Sequence, residues 1–198
     1  MVGGPRQNDG DQNGKEPERK GVASRLLKIR TVIVNGQIDE SLAEKVMAQL
    51  LVLDGDSHEP IRVIITSQGG HVDSGYAIYD VLRYVESPVI TIAAGWVASI
   101  AVPIFLGAEK KSRYSLPNTR FLLHQPAGGV GGQASDIRIA AEEILKLKAR
   151  LNQLIAEETG RAPEAVAEDC DRNFWMSAED ALEYGIVSKI IRSAREIA

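Results

Sequence analysis

VITIAAGWVASIAVPIFLGA, residues 89–108, runs for twenty residues without a charge, which meets the length rule for a helix that spans a bilayer. How this stretch is read decides the fold. Its opening, Val89–Ala94, is rich in β-branched residues, and Gly95 and Pro103 interrupt the remainder. β-Branched side chains favour the extended chain, and Pro disrupts a helix interior. The stretch therefore reads as a buried strand, a Gly turn at 95, and then a short buried helix.

Its surroundings support the same reading. Upstream, Thr31–Val34 is a short β-branched run closed by Asn35-Gly36. Ser41-Leu-Ala-Glu44 has the form of a capping box ahead of Leu42, Val46, Leu50 and Leu53 at helical spacing. Arg62–Thr66 is a buried strand leading straight into Ser67-Gln68-Gly69-Gly70, and Ile78, Val81, Leu82 and Val85 mark one face of a helix over 72–85. Downstream, Arg120–His124 is another strand. Ser177-Ala-Glu-Asp180 starts a short helix that Gly185 ends, and Ile186–Ile191 returns as a strand. A membrane span gives no reason for such alternation on both sides. An α/β domain with parallel crossovers does.

Composition sets the outer bounds. The chain has 198 residues, 44% hydrophobic and 25% charged, which are globular proportions suited to one domain. With 23 Lys+Arg against 27 Asp+Glu, the net charge of -4 argues against broad attraction to nucleic acid. The single Cys170 excludes an internal disulfide, and His58, His71 and His124 are too scattered for a metal cluster, so no metal site is expected. Met1 and Val2 are the only large apolar residues among the first twenty. Residues 1–22 are therefore expected to be a flexible tail and 23–198 the folded domain. The tail has no secretory h-region, and the cytoplasm is the expected location.

Chemistry is expected at the Gly-containing strand ends, because sites in α/β sheets form outside the carboxyl ends of strands. Ser99 follows one such end and Gly69-Gly70 follows another. A Ser placed there can attack a carbonyl while nearby turns supply N–H donors to the oxyanion; equally, Ser99 can be a helix cap and the glycines a tight turn. His124 ends a strand where the sheet meets Gln125-Pro126 and a Gly-rich run, a position suited either to a general base or to a hydrogen-bonded structural role. His58 lies in a polar loop. His71 adjoins Gly70.

These residues sit within a longer pattern. Ser24-Arg-Leu-Leu27, Ala48-Gln49-Leu50, Gly69-Gly70, Ile78-Tyr79-Asp80, Ala98-Ser99, Leu116-Pro117-Asn118 and His124-Gln-Pro126 occur in order. Gly132-Gln-Ala134, Asp136-Ile137, Glu143-Ile-Leu145, Asp171-Arg172 and Met176-Ser-Ala178 continue it. Over residues 24–192 the chain resembles the proteolytic subunit of the ATP-dependent Clp protease, a serine peptidase that works with an ATP-driven unfoldase. The resemblance implies a crotonase-like α/β fold with a protruding handle helix. It implies Ser99 as nucleophile, His124 as general base, and the N–H groups of Gly70 and Ile100 as the oxyanion hole. It also implies unfolded polypeptide as substrate, an AAA+ unfoldase as partner, and two stacked heptameric rings built from this chain alone or with paralogues. No cofactor is expected on this chain. The sequence has no Walker-type phosphate loop, so ATP and Mg belong to the unfoldase.

Three departures from the family pattern stand out. The carboxylate expected third in the triad falls on Asn173, within Asp171-Arg172-Asn173. An amide oxygen can accept the imidazole Nδ1–H but cannot offset an imidazolium charge. Asp171, two residues away, is a possible substitute; the resemblance instead pairs it with Arg172 at the ring interface. Gln68 stands where the family has Pro, and Pro103 falls early in the helix after Ser99, where a position beyond the first turn would kink it.

Residues 134–159 form the clearest long helix. Ile137, Ala140, Ile144, Leu147, Leu151 and Leu154 recur every 3.5 residues on average, as in a seam between helices or an ordinary core face. The resemblance makes this segment the ring-joining handle, and makes Gly128–Gly132 a rail beside which an extended substrate adds as a strand. Two other functions compete with the peptidase. One is a weakly active or inactive structural ring subunit beside an active paralogue, motivated by Asn173. The other is an acyl-CoA enzyme of the same broad fold, against which the Ser99–His124 pairing argues.

Overall fold

The structure is a computed structural model that describes residues 15–126 and 131–197. Seven strands form one sheet: β1 (Thr31–Ile38), β2 (Ile61–Gly70), β3 (Val89–Ala98), β4 (Arg113–Ser115), β5 (Arg120–Leu123), β6 (Phe174–Met176) and β7 (Lys189–Ile190). The order is β1-β2-β3-β4-β7, and β5 pairs with both β3 and β6. All pairings are parallel except β5–β6. Helices α2 (Glu40–Asp56) and α3 (Val72–Tyr84) connect the parallel strands β1, β2 and β3. Four further helices are α1 (Lys15–Lys28), α4 (Ala101–Leu106), α6 (Pro163–Asp169) and α7 (Ala178–Tyr184); α5 (Ala134–Thr159) is the long one. The fold is the expected α/β one, and among the described residues no helix is long and apolar enough to cross a membrane.

The decisive stretch is a strand followed by a helix, but the strand is longer than expected. β3 continues through Gly95 to Ala98 because its edge changes partner there. Thr91–Ala93 pair with β4, and Trp96–Ala98 pair with β5. Every residue of α4 is buried, so the uncharged run forms the centre of the domain. Pro103 is the third residue of α4, within the first turn, where a backbone N–H has no helical acceptor; the proline therefore breaks no bond. β2 likewise runs through Gly69-Gly70, held by the pairs Gln37–Gly69 and Ile38–Gly70.

The cap of α2 lies two residues earlier than the capping-box reading. Asp39, not Ser41, accepts the hydrogen bond from the Leu42 N–H at 2.8 Å. α7 has the expected box: Ser177 and Asp180 bond reciprocally, and Gly185 ends the helix. Short strands β4 and β6 and helix α6 have too few residues to show a period in sequence. Helix α1 begins at Lys15, inside the segment expected as a tail, so the boundary at 22/23 falls within a helix. Residues 1–14, and residues 127–130 of the Gly-rich run expected as a substrate rail, lie outside the described residues.

One large core lies between the sheet and helices α2, α3, α4 and α5. A small second core of Ile90, Ile92, Tyr114 and Ile191 covers the other face. The 3.5-residue stripe of α5 divides between two roles. On it Leu151 is buried and Leu147 and Leu154 pack against the core, whereas Ile137 is exposed, as are Ile139 and Leu145 beside the stripe. The first half of the helix therefore projects as a handle and the second half is part of the core.

Arg113, 1% exposed, fixes this second half. Its guanidinium donates to the Leu106, Ala108 and Glu158 carbonyls and is ion-paired with the Glu158 carboxylate. Glu158 also accepts from the Tyr79 hydroxyl at 3.1 Å. Burial, together with that carboxylate, pushes the Tyr79 phenol up to about 12.

Candidate active site

The parallel strands place their carboxyl ends along one rim of the sheet, and the expected site residues lie on that rim. Ser99 joins β3 to α4 with φ +57, one of two non-glycine residues in the left-handed region among the described residues. Such a backbone costs about 1–3 kcal/mol and persists only where the surroundings fix it. Here the Ser99 N–H donates to the Leu122 carbonyl at 2.9 Å, and the Ser99 carbonyl accepts from the Val102 N–H at 3.0 Å. The Ser99 turn is thus tied to both β5 and α4.

Gly69 is pressed against that turn. A Cβ at Gly69 would lie 2.6 Å from Ser99 Cβ and 2.8 Å from the Ala98 carbonyl oxygen, and its φ is +92. No other residue type fits. Gly70 is as tightly confined, since a Cβ there would run into the Ile38 carbonyl. Ser67 braces the pair: its hydroxyl donates to the Gly36 carbonyl and accepts from the Gly69 N–H at 3.0 Å. Ile100, the other residue expected to line an oxyanion hole, is buried and caps α4 ahead of its first turn.

His124 follows β5 directly and is half-buried. Burial pulls its pKa below the ordinary imidazole value, which favours the neutral imidazole. Asn173 immediately precedes β6. The antiparallel pairing ends with Leu122–Trp175 and Leu123–Phe174, so His124 and Asn173 directly flank its last pair. Ser99, His124 and Asn173 thus come from the ends of three adjacent strands. Among the described residues no hydrogen bond joins the three, and catalytic hydrogen bonds commonly tighten only around substrate. A serine, a neutral imidazole and a glycine turn converging on one rim are the parts of an acyl-transfer site.

The sequence profile of the Clp protease family matches residues 13–194. The chain belongs to the Clp protease family. It is 46% identical over 194 residues to ATP-dependent Clp protease proteolytic subunit 3 of Rhizobium meliloti, covering 96% of this chain and 100% of that protein. It is 50% identical over 171 residues to proteolytic subunit 2 of Pseudomonas aeruginosa, covering 86% of this chain and 85% of that protein. Among solved structures it is similar to an asparagine-to-aspartate mutant of ClpP1 from Listeria monocytogenes. The TM-score is 0.84 at 44% identity, over 89% of this chain and 99% of that one. As a member of this family the chain is a serine-type peptidase.

Other residues singled out in the sequence are placed apart from the triad positions in this Clp-family chain. Asp171 is engaged by Lys148 of α5 at 3.2 Å, and its carbonyl accepts from Gln125 at 2.8 Å. Its carboxylate therefore engages α5. Arg172 lies 3.9 Å from it. His58 sits near Asp54 and Glu86. His71 caps α3, with Nδ1 2.8 Å from the Ser74 hydroxyl.

Sequence reasoning missed an aromatic brace. Trp96 and Trp175 stack with centroids 6.4 Å apart and planes 5° from parallel, and the Arg120 guanidinium lies 4.7 Å from the Trp175 ring centre. Parity is the signal that could have found it. Trp96, Arg120 and Trp175 share one face of the sheet, because paired residues project to the same side and alternate residues share a side.

Proposed function

We propose that this chain is the endopeptidase subunit of an ATP-dependent protease, cutting unfolded polypeptides through an acyl-enzyme. Ser99 Oγ attacks the scissile carbonyl as His124 takes its proton. The N–H groups of Gly70 and Ile100 receive the oxyanion. The intermediate collapses by expelling the amine, which His124 protonates, and water releases the acyl group by the same steps in reverse order. Asn173 orients His124 through its amide oxygen, in place of the carboxylate of the Asp triad.

The observation that carries this reading is the Ser99 turn itself: a strained serine, bonded to the strand that His124 follows, with Gly69 at its Cβ. Self-assembly into two stacked heptameric rings is supported by the exposed Ile137, Ile139 and Leu145 on the handle half of α5. An AAA+ unfoldase that uses ATP and Mg is the partner that family membership supports.

The test is labelling with a fluorophosphonate and location of the adduct by mass spectrometry. Ser99 and no other serine should be modified, and Ser99→Ala should abolish peptide cleavage while the particle still assembles. Undiminished cleavage by Ser99→Ala would sink the proposal.

A second reading, a structural ring subunit with little activity of its own, is favoured by Asn173. In a trypsin-like triad the change from Asp to Asn costs about 10⁴ in turnover. Asn173→Asp should raise kcat by less than that and leave KM nearly unchanged. A wild type that already cleaves quickly, with no gain in the variant, removes this second reading.

A further inference from the structure

Gln68, one of the three departures from the family pattern, lies at a break in the sheet. Asn35 of β1 pairs with Thr66 and Gln37 pairs with Gly69, so Gly36 stands against both Ser67 and Gln68. β2 therefore carries one extra residue, a bulge, and regular ladder bonding is disrupted at such a point. Side chains of β2 hold the peptide that joins Gly36 to Gln37 there. The Ser67 hydroxyl donates to the Gly36 carbonyl. In the amide orientation that gives both its ends a partner, Gln68 donates to the same carbonyl at 3.3 Å and accepts from the Gln37 N–H at 3.1 Å.

The bulge decides what Ser99 meets. Beyond it Gly69 and Gly70 pair with Gln37 and Ile38, and the His71 N–H donates to the Ile38 carbonyl at 2.8 Å. In this register Gly69 lies against Ser99, where an added Cβ would be 2.6 Å from Ser99 Cβ. Without the extra residue Gly69 would pair with Ile38, and a slip of one residue turns every group to the other side of the strand. The direction of the Gly70 N–H thus depends on the bulge. Ser67 is fully buried and also accepts from the Gly69 N–H at 3.0 Å. Gln68 is exposed, so trimming its amide opens no cavity in the core.

We propose that Gln68 is a positioning residue for the acyl-transfer step: its amide, with the Ser67 hydroxyl, clamps the Gly36–Gln37 peptide and so holds the Gly70 N–H in line with the oxyanion. This rests on Ser99 being the nucleophile and Gly70 an oxyanion donor. Gln68 acts through β1 and Gly70, not on the substrate itself. Its loss should appear in the step that builds charge on the carbonyl oxygen and not in the binding of the intact peptide, because a donor to the oxyanion acts mainly in the transition state.

The experiment compares the full chain with Gln68→Met, which keeps the side-chain length and loses both bonds. The probe is a peptidyl diphenyl phosphonate. Ser99 Oγ attacks phosphorus and phenol leaves with the hydroxyl proton, so adduct mass reports the rate without turnover. The maximal rate of adduct formation should fall about tenfold in Gln68→Met, less than the roughly 10²–10³ lost when an oxyanion donor is removed outright. The half-saturating probe concentration, the Tm and the midpoint of the acid limb should all stay as in the wild type. An unchanged maximal rate overturns the clamp alone. So does a loss confined to probe binding or to Tm, and so does a shifted acid limb, which would place the fault at His124. If neither this probe nor a fluorophosphonate labels Ser99 in the wild type, the peptidase reading falls and the clamp falls with it.

Discussion

His124 and Gly69 carry the sharpest expectations at the scale of single residues. Burial lowers the pKa of His124 from the ordinary imidazole value. The base must be neutral to accept the Ser99 proton, so a lower pKa extends activity toward acid. The acid limb of kcat/KM should have its midpoint below the ordinary imidazole value of about 6.5. A carboxylate at 173 would stabilise the imidazolium and raise that pKa. Asn173→Asp should therefore shift the limb upward while it raises the rate, and pH profiles of both proteins check the sign. Gly69→Ala tests the steric argument. Its Cβ would meet Ser99 Cβ at 2.6 Å, so the nucleophile turn has to move; we expect at least about a 100-fold slower reaction with a fluorophosphonate, since small displacements of a catalytic group cost that much. A normal labelling rate in a folded Gly69→Ala protein would contradict the geometry.

Helix α5 divides into two halves, and substitutions in them should behave differently. Leu151 is 7% exposed and belongs to the core, whereas Ile137 and Leu145 are 43% and 64% exposed. Ile137→Glu/Leu145→Glu should leave circular dichroism and melting nearly unchanged. If a second ring covers this half, charge is then buried against apolar partners at high cost, and light scattering should show the particle reduced to half its mass or less. Leu151→Glu should instead lose folded structure, because it places a carboxylate in the core. An intact particle from the double glutamate variant would remove the handle from the ring contact.

For the molecule as a whole, the critical buried charge is Arg113, the largest fully buried side chain among the described residues. It joins the end of α4, the start of β4 and the last turn of α5 through three carbonyls and Glu158. Removing one partner of a buried pair leaves an uncompensated charge and costs about 3–5 kcal/mol. Glu158→Gln should therefore lower the Tm by roughly 10 °C, scaled for a chain of this size, with Arg113 still bonded to carbonyls. Arg113→Met/Glu158→Gln should recover part of the loss because no charge remains buried. Calorimetry on the two variants decides between a stabilising clamp and a dispensable one.

The order of strands and helices was legible in the sequence because it depends on local pattern. β-Branched runs at 31–34, 62–66 and 89–94, the cap at Ser177, and the period of residues 134–159 each act over a few residues. Ser99, His124 and Gly69-Gly70 were legible as strand ends, and the longer pattern of motifs gave them roles. Tertiary pairing decided the rest. β3 runs past Gly95 because β5 offers a second edge, and β6 exists because β5 holds it. Neither partner is visible from within the strand. That His124 and Asn173 flank the same strand pair comes from an antiparallel register between segments far apart in the chain. Whether an apolar position on α5 lies in the core or projects from it depended on how far the helix extends beyond the sheet, since its period is the same along its whole length. That the Tyr76 hydroxyl and the Asn152 amide oxygen are buried without a partner among the described residues carries no sequence signal, because burial is a property of the packed chain.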